Sequence, residues 1–187
     1  MKRASRFMPK TVRSPPTLVG WLLLIAFAAA LLYVLWLHPI VTSTCLAVLV
    51  ALSCLLQRNI RNHLRTIAAS RAGESICTFS REVDCRNLDT WIVRAVYEEI
   101  QEHLAADCAK FPLRWTDRLK EDLRIDPDAL DEELAIDIAQ RTCRSLEGAE
   151  RNPLFGDVKT VRDLVFFFQA QPLLPESKAQ ASSNLRG

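Results

Sequence analysis

The sequence predicts an all-α fold, with two apolar helices followed by a small helical bundle. Three observations carry that prediction. Residues Leu18–Leu37 and Ile40–Leu56 form two apolar runs without one Asp, Glu, Lys or Arg, parted only by His38 and Pro39. Apolar residues recur at helical spacing from Leu88 to Leu104 and again from Leu130 to Ile138. Glycine is scarce, five in 187 residues, and the alternation a half-buried strand requires is nearly absent.

Residues 1–16 form a basic arm. Lys2, Arg3, Arg6, Lys10 and Arg13 face no acid, and Pro9, Pro15 and Pro16 oppose a stable helix, so a mobile cytosolic segment is expected. Residues 17–57 then hold the two spans, about 18–37 and 40–56. A helix needs about 20 apolar residues to cross the hydrocarbon core, with a range of about 17–25, and both runs qualify. A secretory signal has an apolar stretch of about 7–15 residues ending at small residues. Here Ala28–Ala30 sits in mid-span and Tyr33, Trp36 and Leu37 follow it, so an uncleaved anchor is expected. Trp21 at one end and Tyr33 and Trp36 at the other suit the two interfaces. Pro39 disfavours helical geometry at His38 and predicts a tight turn there.

Charge fixes the expected topology. Residues 1–73 carry nine bases and no acid, leaving 15 of the 24 bases with all 22 acids in the remainder, a net charge of −7. Bases outside both ends of the hairpin place both termini in the cytoplasm by the positive-inside rule, which for a bacterial protein means the inner membrane. The spans contain no ionisable group of the kind an ion or proton pathway needs. Their polar residues, Thr42, Ser43, Thr44 and Ser53, can return hydrogen bonds to their own helix.

Residues 58–86 read as a basic juxtamembrane linker. In its first part, Arg58–Arg71, Ile60, Leu64 and Ile67 lie along one side of a helix, and its bases suit either anionic headgroups or the ordinary positive flank. The short stretch Ile76–Phe79 reads as extended. A helical domain is expected over 87–171. Its first helix places Leu88, Trp91, Ile92, Val96, Ile100 and Leu104 inward and Arg94, Glu98, Glu99 and Glu102 outward, with Asn87 or Asp89 as cap. After Phe111-Pro112, a loop carries Leu113, Trp115 and Leu119. A second helix over Asp128–Arg144 has Leu130, Leu134 and Ile138 inward. Asp126, Asp128, Asp131, Glu132, Glu133 and Asp137 all precede its first base, Arg141, an order that complements the helix dipole. Thr160 and Asp163 open a short last helix with a capping-box pattern, and Pro172 ends it. Residues 172–187 read as a disordered tail.

The order of these features resembles the acyl carrier protein family. That family has a long first helix and a long loop closing on an acidic-Leu-x-x-Asp-Ser-Leu motif, then an acidic second helix and a short last helix after a Thr-Val turn. Asp117-x-Leu119-x-x-Asp122-Leu123-x-Ile125-Asp126 resembles the approach to the motif. Leu130–Ile138 resembles the second helix, and Lys159-Thr160-Val161-x-Asp163-Leu164-Val165 the start of the last. The match covers about residues 87–170. Where the family has the serine that receives phosphopantetheine, this chain reads Asp126-Pro127-Asp128, and no serine lies between Ser80 and Ser145. Proline has no hydroxyl to form the phosphodiester. The resemblance therefore implies a carrier fold without its prosthetic arm, so no cofactor is expected. It also implies a retained docking face, Asp126, Asp128, Asp131, Glu132, Glu133 and Asp137, for a basic protein partner.

Other functions find less support. The chain lacks GxSxG and a P-loop and has three histidines, so no catalytic residue is expected. The acidic distal part gives a nucleic-acid backbone no basic face. The six cysteines show no CxxC or zinc spacing; Cys45 and Cys54 lie in the second apolar run, and structural or free thiols fit better than a metal site at Cys77, Cys85, His103 and Cys108. Two rivals stay open: a carrier that uses another attachment residue, the nearest hydroxyls, Thr116 and Thr142, lying outside the motif, and a structural small subunit of a membrane complex assembled through the hairpin.

Overall fold

The computed structural model describes residues 17–82 and 88–174. The basic arm, Cys85, Asn87 and the residues after Leu174 lie outside these. Six helices account for the fold, and no strand is present among the described residues. The chain divides into two units, the first ending at Ile60 and the second continuing from Arg61.

In the first unit, α1 spans Leu18–Leu37, the predicted bounds. Thr17, in extended conformation, starts it by accepting from the Gly20 amide at 3.3 Å. His38 leaves helical geometry (φ −133°, ψ 65°), and Pro39 begins α2, Pro39–Ser70, at the position where its missing N–H costs nothing. The Thr42 and Thr44 hydroxyls donate to the His38 and Ile40 carbonyls at 2.6 Å, as expected of hydroxyls in an apolar helix. Both helices are long and apolar enough to cross a membrane, and none of either apolar window is buried. α1 and α2 do not pack along one another. Their large side chains, Trp21, Phe27, Leu31 and Leu49 among them, are exposed and need an apolar surrounding from outside the chain.

α2 does not stop with its apolar run. No Gly or Pro occurs between Leu56 and Arg71, and the helix continues to Ser70 before Gly73, in the left-handed region at φ 93°, turns the chain. Its last turns belong to the second unit and enter the core through Leu64, which is fully buried. Two of the four bases expected to suit headgroups or to serve as a positive flank, Arg61 and Arg71, have protein partners. The Arg61 guanidinium donates to Asp107 at 3.0 Å, and Arg71 to Asp117 at 2.8 Å and to the Pro112 carbonyl. Asp117, 1% exposed, also accepts from the Arg114 amide, so it anchors both the helix end and the 111–117 loop.

The extended reading of Ile76–Phe79 is corrected: it is a helix, α3, Ile76–Arg81. Ser75 and Thr78 form its capping box, and Phe79 packs at centroid distances of 5.3 Å from Tyr97 and 5.5 Å from Trp115. α4, Thr90–Leu104, capped by Asp89, is the central helix, with α3, α5 (residues 127–142) and α6 (Val161–Ala170) packed around it. Ile92, Ala95, Val96 and Ile100 are fully buried along it. The loop after it fills the core as expected, with Phe111, Leu113, Trp115 and Leu119 buried, joined by Leu123 and Ile125. α5 covers 127–142. α6, Val161–Ala170, starts with the predicted Thr160–Asp163 capping box. Its first residues hold the loop, Val161 donating to the Asp117 carbonyl and Leu119 to that of Lys159. The tail is corrected at its start: Ser145 donates to the Pro172 carbonyl and Leu174 to that of Cys143, so 172–174 are part of the fold.

Candidate docking site

Each predicted site residue is set by how α5 begins. Asp126 is extended (φ −74°, ψ 151°), and Pro127 occupies the first helical position with its φ already suited to it. Asp126 makes no side-chain cap, so its carboxylate is not drawn inward. After Pro127–Ala129, residues Leu130–Leu134 widen into a π turn, in which the Ala135 amide donates to the Leu130 carbonyl, five residues back. Ala135–Thr142 then returns to α-helix. Such single π turns are recurrent at functional sites.

The turn places Leu134, Ala135 and Ile138 against the core and leaves Asp131, Glu132 and Glu133 consecutive and exposed. Asp126 and Asp128 are exposed as well, whereas Asp137 is half-buried and set apart from them. Ile136, three and four residues beyond Glu133 and Glu132, is 42% exposed. This stretch of α5 therefore presents one exposed apolar side chain beside a run of exposed acids.

The side of α5 facing α4 departs from expectation. Glu98 and Glu99 read as solvent-facing; Glu99 is 4% exposed and Glu98 is half-buried. The reason is Arg141, itself 4% exposed, whose guanidinium donates to Glu99 at 2.7 Å and also to Glu98. Arg94 holds Glu98 from its own helix at 2.6 Å. Burial pushes the Glu98 pKa up, but hydrogen bonds and charge from Arg141 and Arg94 outweigh it and hold the carboxyl below its ordinary value. Burial likewise disfavours the Arg141 cation, and the two glutamates more than restore it. Arg141, expected to complement the helix dipole at a solvated end, instead locks α5 onto α4. Beyond it, Cys143 ends the helix in left-handed conformation (φ 54°), donating to Gln140, while Arg144 donates to Ala139, the paired bonds of a Schellman end.

A cleft of about 510 Å³, invisible to the sequence reading, opens beside the acidic turn. Leu130 and Ala135 of α5, Leu164 and Phe167 of α6, and Phe155 of the connecting loop make its walls apolar, while Lys120, Glu121, Asp131 and Lys159 stand among its lining. Lys159 is paired with Asp157 at 2.5 Å. No spacing rule could have revealed the cleft, because its walls come from three separate segments.

The rival sites fare differently. The Thr142 hydroxyl is buried and donates to the Ile138 carbonyl at 2.7 Å, so it cannot present an attachment oxygen; Thr116 is exposed. Among the described residues, no three His, Cys, Asp or Glu side chains are grouped to hold a metal ion. No protein-family model matches this chain, and no curated protein or solved structure does either.

Proposed function

We propose that this chain is a membrane-anchored, acyl-carrier-like protein without the phosphopantetheine serine, and that α5 docks a basic protein surface at the cytoplasmic face. The supporting observation is the uninterrupted exposure of Asp131, Glu132 and Glu133, with Asp126 and Asp128 exposed before them and Ile136 after. Buried charges would be committed to the fold, as Glu99 is; exposed ones remain available to a partner. The positive flanks of the two apolar helices favour both termini in the cytoplasm, which puts α5 there too. Pro127 at the position of the serine leaves no place for the prosthetic arm, so the protein acts by binding and not by catalysis.

Complementary charge speeds encounter and sets specificity, and it weakens as salt rises. The test is co-purification from native membranes with wild-type protein and with an Asp131→Lys, Glu132→Lys, Glu133→Lys variant. Because all three side chains are exposed, the variant keeps the fold. Docking requires that the variant lose a partner that the wild-type protein retains at low salt and releases at high salt. An identical partner set in both preparations would refute it.

A second reading rests on a separate observation. α1 and α2 are exposed along their apolar lengths and do not pack on one another, so they are equally suited to assemble with other membrane helices as a structural subunit. Under that reading the charge-reversed variant still co-purifies with its complex, and substitutions within α1 or α2 release it.

A further inference from the structure

The loop that joins α5 to α6 is tied to the rest of the protein by little. None of residues 146–158 is buried, whereas α6 alone buries Val161, Leu164, Val165, Phe167 and Phe168. Its hydrogen bonds are local. The Ala149, Arg151, Asn152, Phe155 and Asp157 amides donate to carbonyls three residues back, and the Leu154 amide donates to Asn152 Oδ1 at 3.0 Å. Among the described residues, one bond ties the segment to another element: Asn152 Nδ2 donates to the Phe167 carbonyl at 2.9 Å. That acceptor is one of the last four carbonyls of α6, which have no partner within their own helix. Near both ends the backbone turns through left-handed glycines, Gly148 (φ 73°) and Gly156 (φ 75°). Few buried contacts and local bonds are the marks of a segment that opens on its own.

The same segment is a wall of the cleft beside α5. Leu146, Ala149 and Phe155 come from it; Ala135 of α5 and Leu164 and Phe167 of α6 come from the packed body. With the wall in place Ala135 is 9% exposed and Leu164 2%. Asp131, first of the three consecutive exposed acids of α5, lines the cleft as well, so the apolar surface behind the wall borders the acidic run.

We propose that residues 146–158 are a displaceable cover on the docking face. The segment swings at Gly148 and Gly156 when the Asn152 bond is released, and this uncovers an apolar floor of Ala135, Leu164 and Phe167 that continues into Asp131. Closed, the face offers its acids and one exposed apolar side chain, Ile136; open, it gains the floor. A partner that buries the floor binds the open state better and so shifts the segment toward it. The proposal rests on the reading of α5 as a docking surface and supplies its regulation.

The test uses the full chain in lipid nanodiscs, with its six native cysteines replaced and Ala135→Cys as reporter. Thiol labelling and amide hydrogen exchange are followed in parallel. Asn152→Asp removes the donor to the Phe167 carbonyl and keeps an oxygen to accept from Leu154; Asn152→Ala removes the donor without adding charge. One lost hydrogen bond shifts the opening equilibrium by roughly five-fold. Both substitutions should therefore speed labelling of Ala135→Cys about five-fold and raise exchange over 146–158, with exchange in α4 unchanged. Labelling indifferent to both substitutions would overturn the proposal, as would a response to Asn152→Asp alone or a rise in α4 exchange as well. So would labelling in the parent chain as fast as that of Glu132→Cys, because nothing would then cover the floor. Asn152→Ala should also raise partner capture by α5 several-fold; unchanged capture refutes the covering role. If labelling ignores Asn152 while reversal of Asp131, Glu132 and Glu133 still abolishes capture, only the cover falls. If labelling responds and that reversal changes nothing, only the docking function falls.

Discussion

Replacing Arg141 with alanine removes the cation that holds two glutamates of α4. Its guanidinium donates to Glu99 at 2.7 Å and also to Glu98, and its side chain is 3% exposed against 5% for that of Glu99. Glu98 retains Arg94, but Glu99 would be left as a buried carboxylate without this counterion. Breaking a buried pair by removing one partner costs about 3–5 kcal/mol. A direct estimate agrees: two charges 4 Å apart at an effective dielectric of about 20 attract by about 4 kcal/mol. Against a total stability of about 5–15 kcal/mol, such a loss takes a large part of the fold's margin. The double variant Arg141→Met, Glu99→Leu removes both charges and should regain at least about 1.5 kcal/mol relative to the sum of the single substitutions, since neither buried charge is then left without the opposite charge of the pair. Urea unfolding of the full chain, followed by tryptophan fluorescence with Trp21 and Trp36 exchanged for Phe, leaves Trp91 and Trp115 to report on the helical body. A loss below about 1 kcal/mol for Arg141→Ala, or strict additivity in the double variant, would refute the claim that this pair fastens α5 to α4.

The remaining predictions use the same unfolding assay. Phe79→Ala should cost about 3–5 kcal/mol, because the ring is 1% exposed and packs on Tyr97 and Trp115; a change near zero would return Ile76–Arg81 to the status of a linker. At Cys143 a left-handed conformation strains any L residue by about 1–2 kcal/mol, so Cys143→Gly should raise stability by about 1 kcal/mol and Cys143→Val should lower it. Glu98 has a lowered pKa in the folded state, so its contribution is fully present above the ordinary value of 4.5 and is lost as pH falls through the lowered one. Stability measured from pH 6 to pH 3 should therefore fall in that lower range, and less steeply in Glu98→Gln.

What could be read from the sequence was governed by local signals. α1 has its predicted bounds because an uncharged run and a proline after His38 leave the helix no other length. Asp89 and the Thr160–Asp163 box cap their helices because such bonds span two or three residues. α3 escaped because a four-residue apolar run has no period of its own; the Ser75–Thr78 box and the burial of Phe79 decide it. Helical spacing alone puts Glu99 outward, because its counterion lies 42 residues away on another helix. Composition alone makes the bases after the second apolar run a positive flank, yet Arg71 answers a buried aspartate 46 residues on. At the candidate site the acids were legible one by one. The π turn that leaves three of them side by side, and the cleft beside them, depend on hydrogen-bond register and on walls from separate segments.

The central claim is that two spans hold the acidic face of α5 at the cytoplasmic side of a membrane, with residues 1–16 on that same side. Single reporter cysteines at Lys10 and Glu132, in a chain whose six native cysteines are replaced, can be labelled with a membrane-impermeant maleimide in sealed vesicles of each orientation. The account predicts that both positions react in inside-out vesicles and neither in right-side-out ones. Reaction of the two positions from opposite sides, or of Glu132→Cys from the outside, would contradict it.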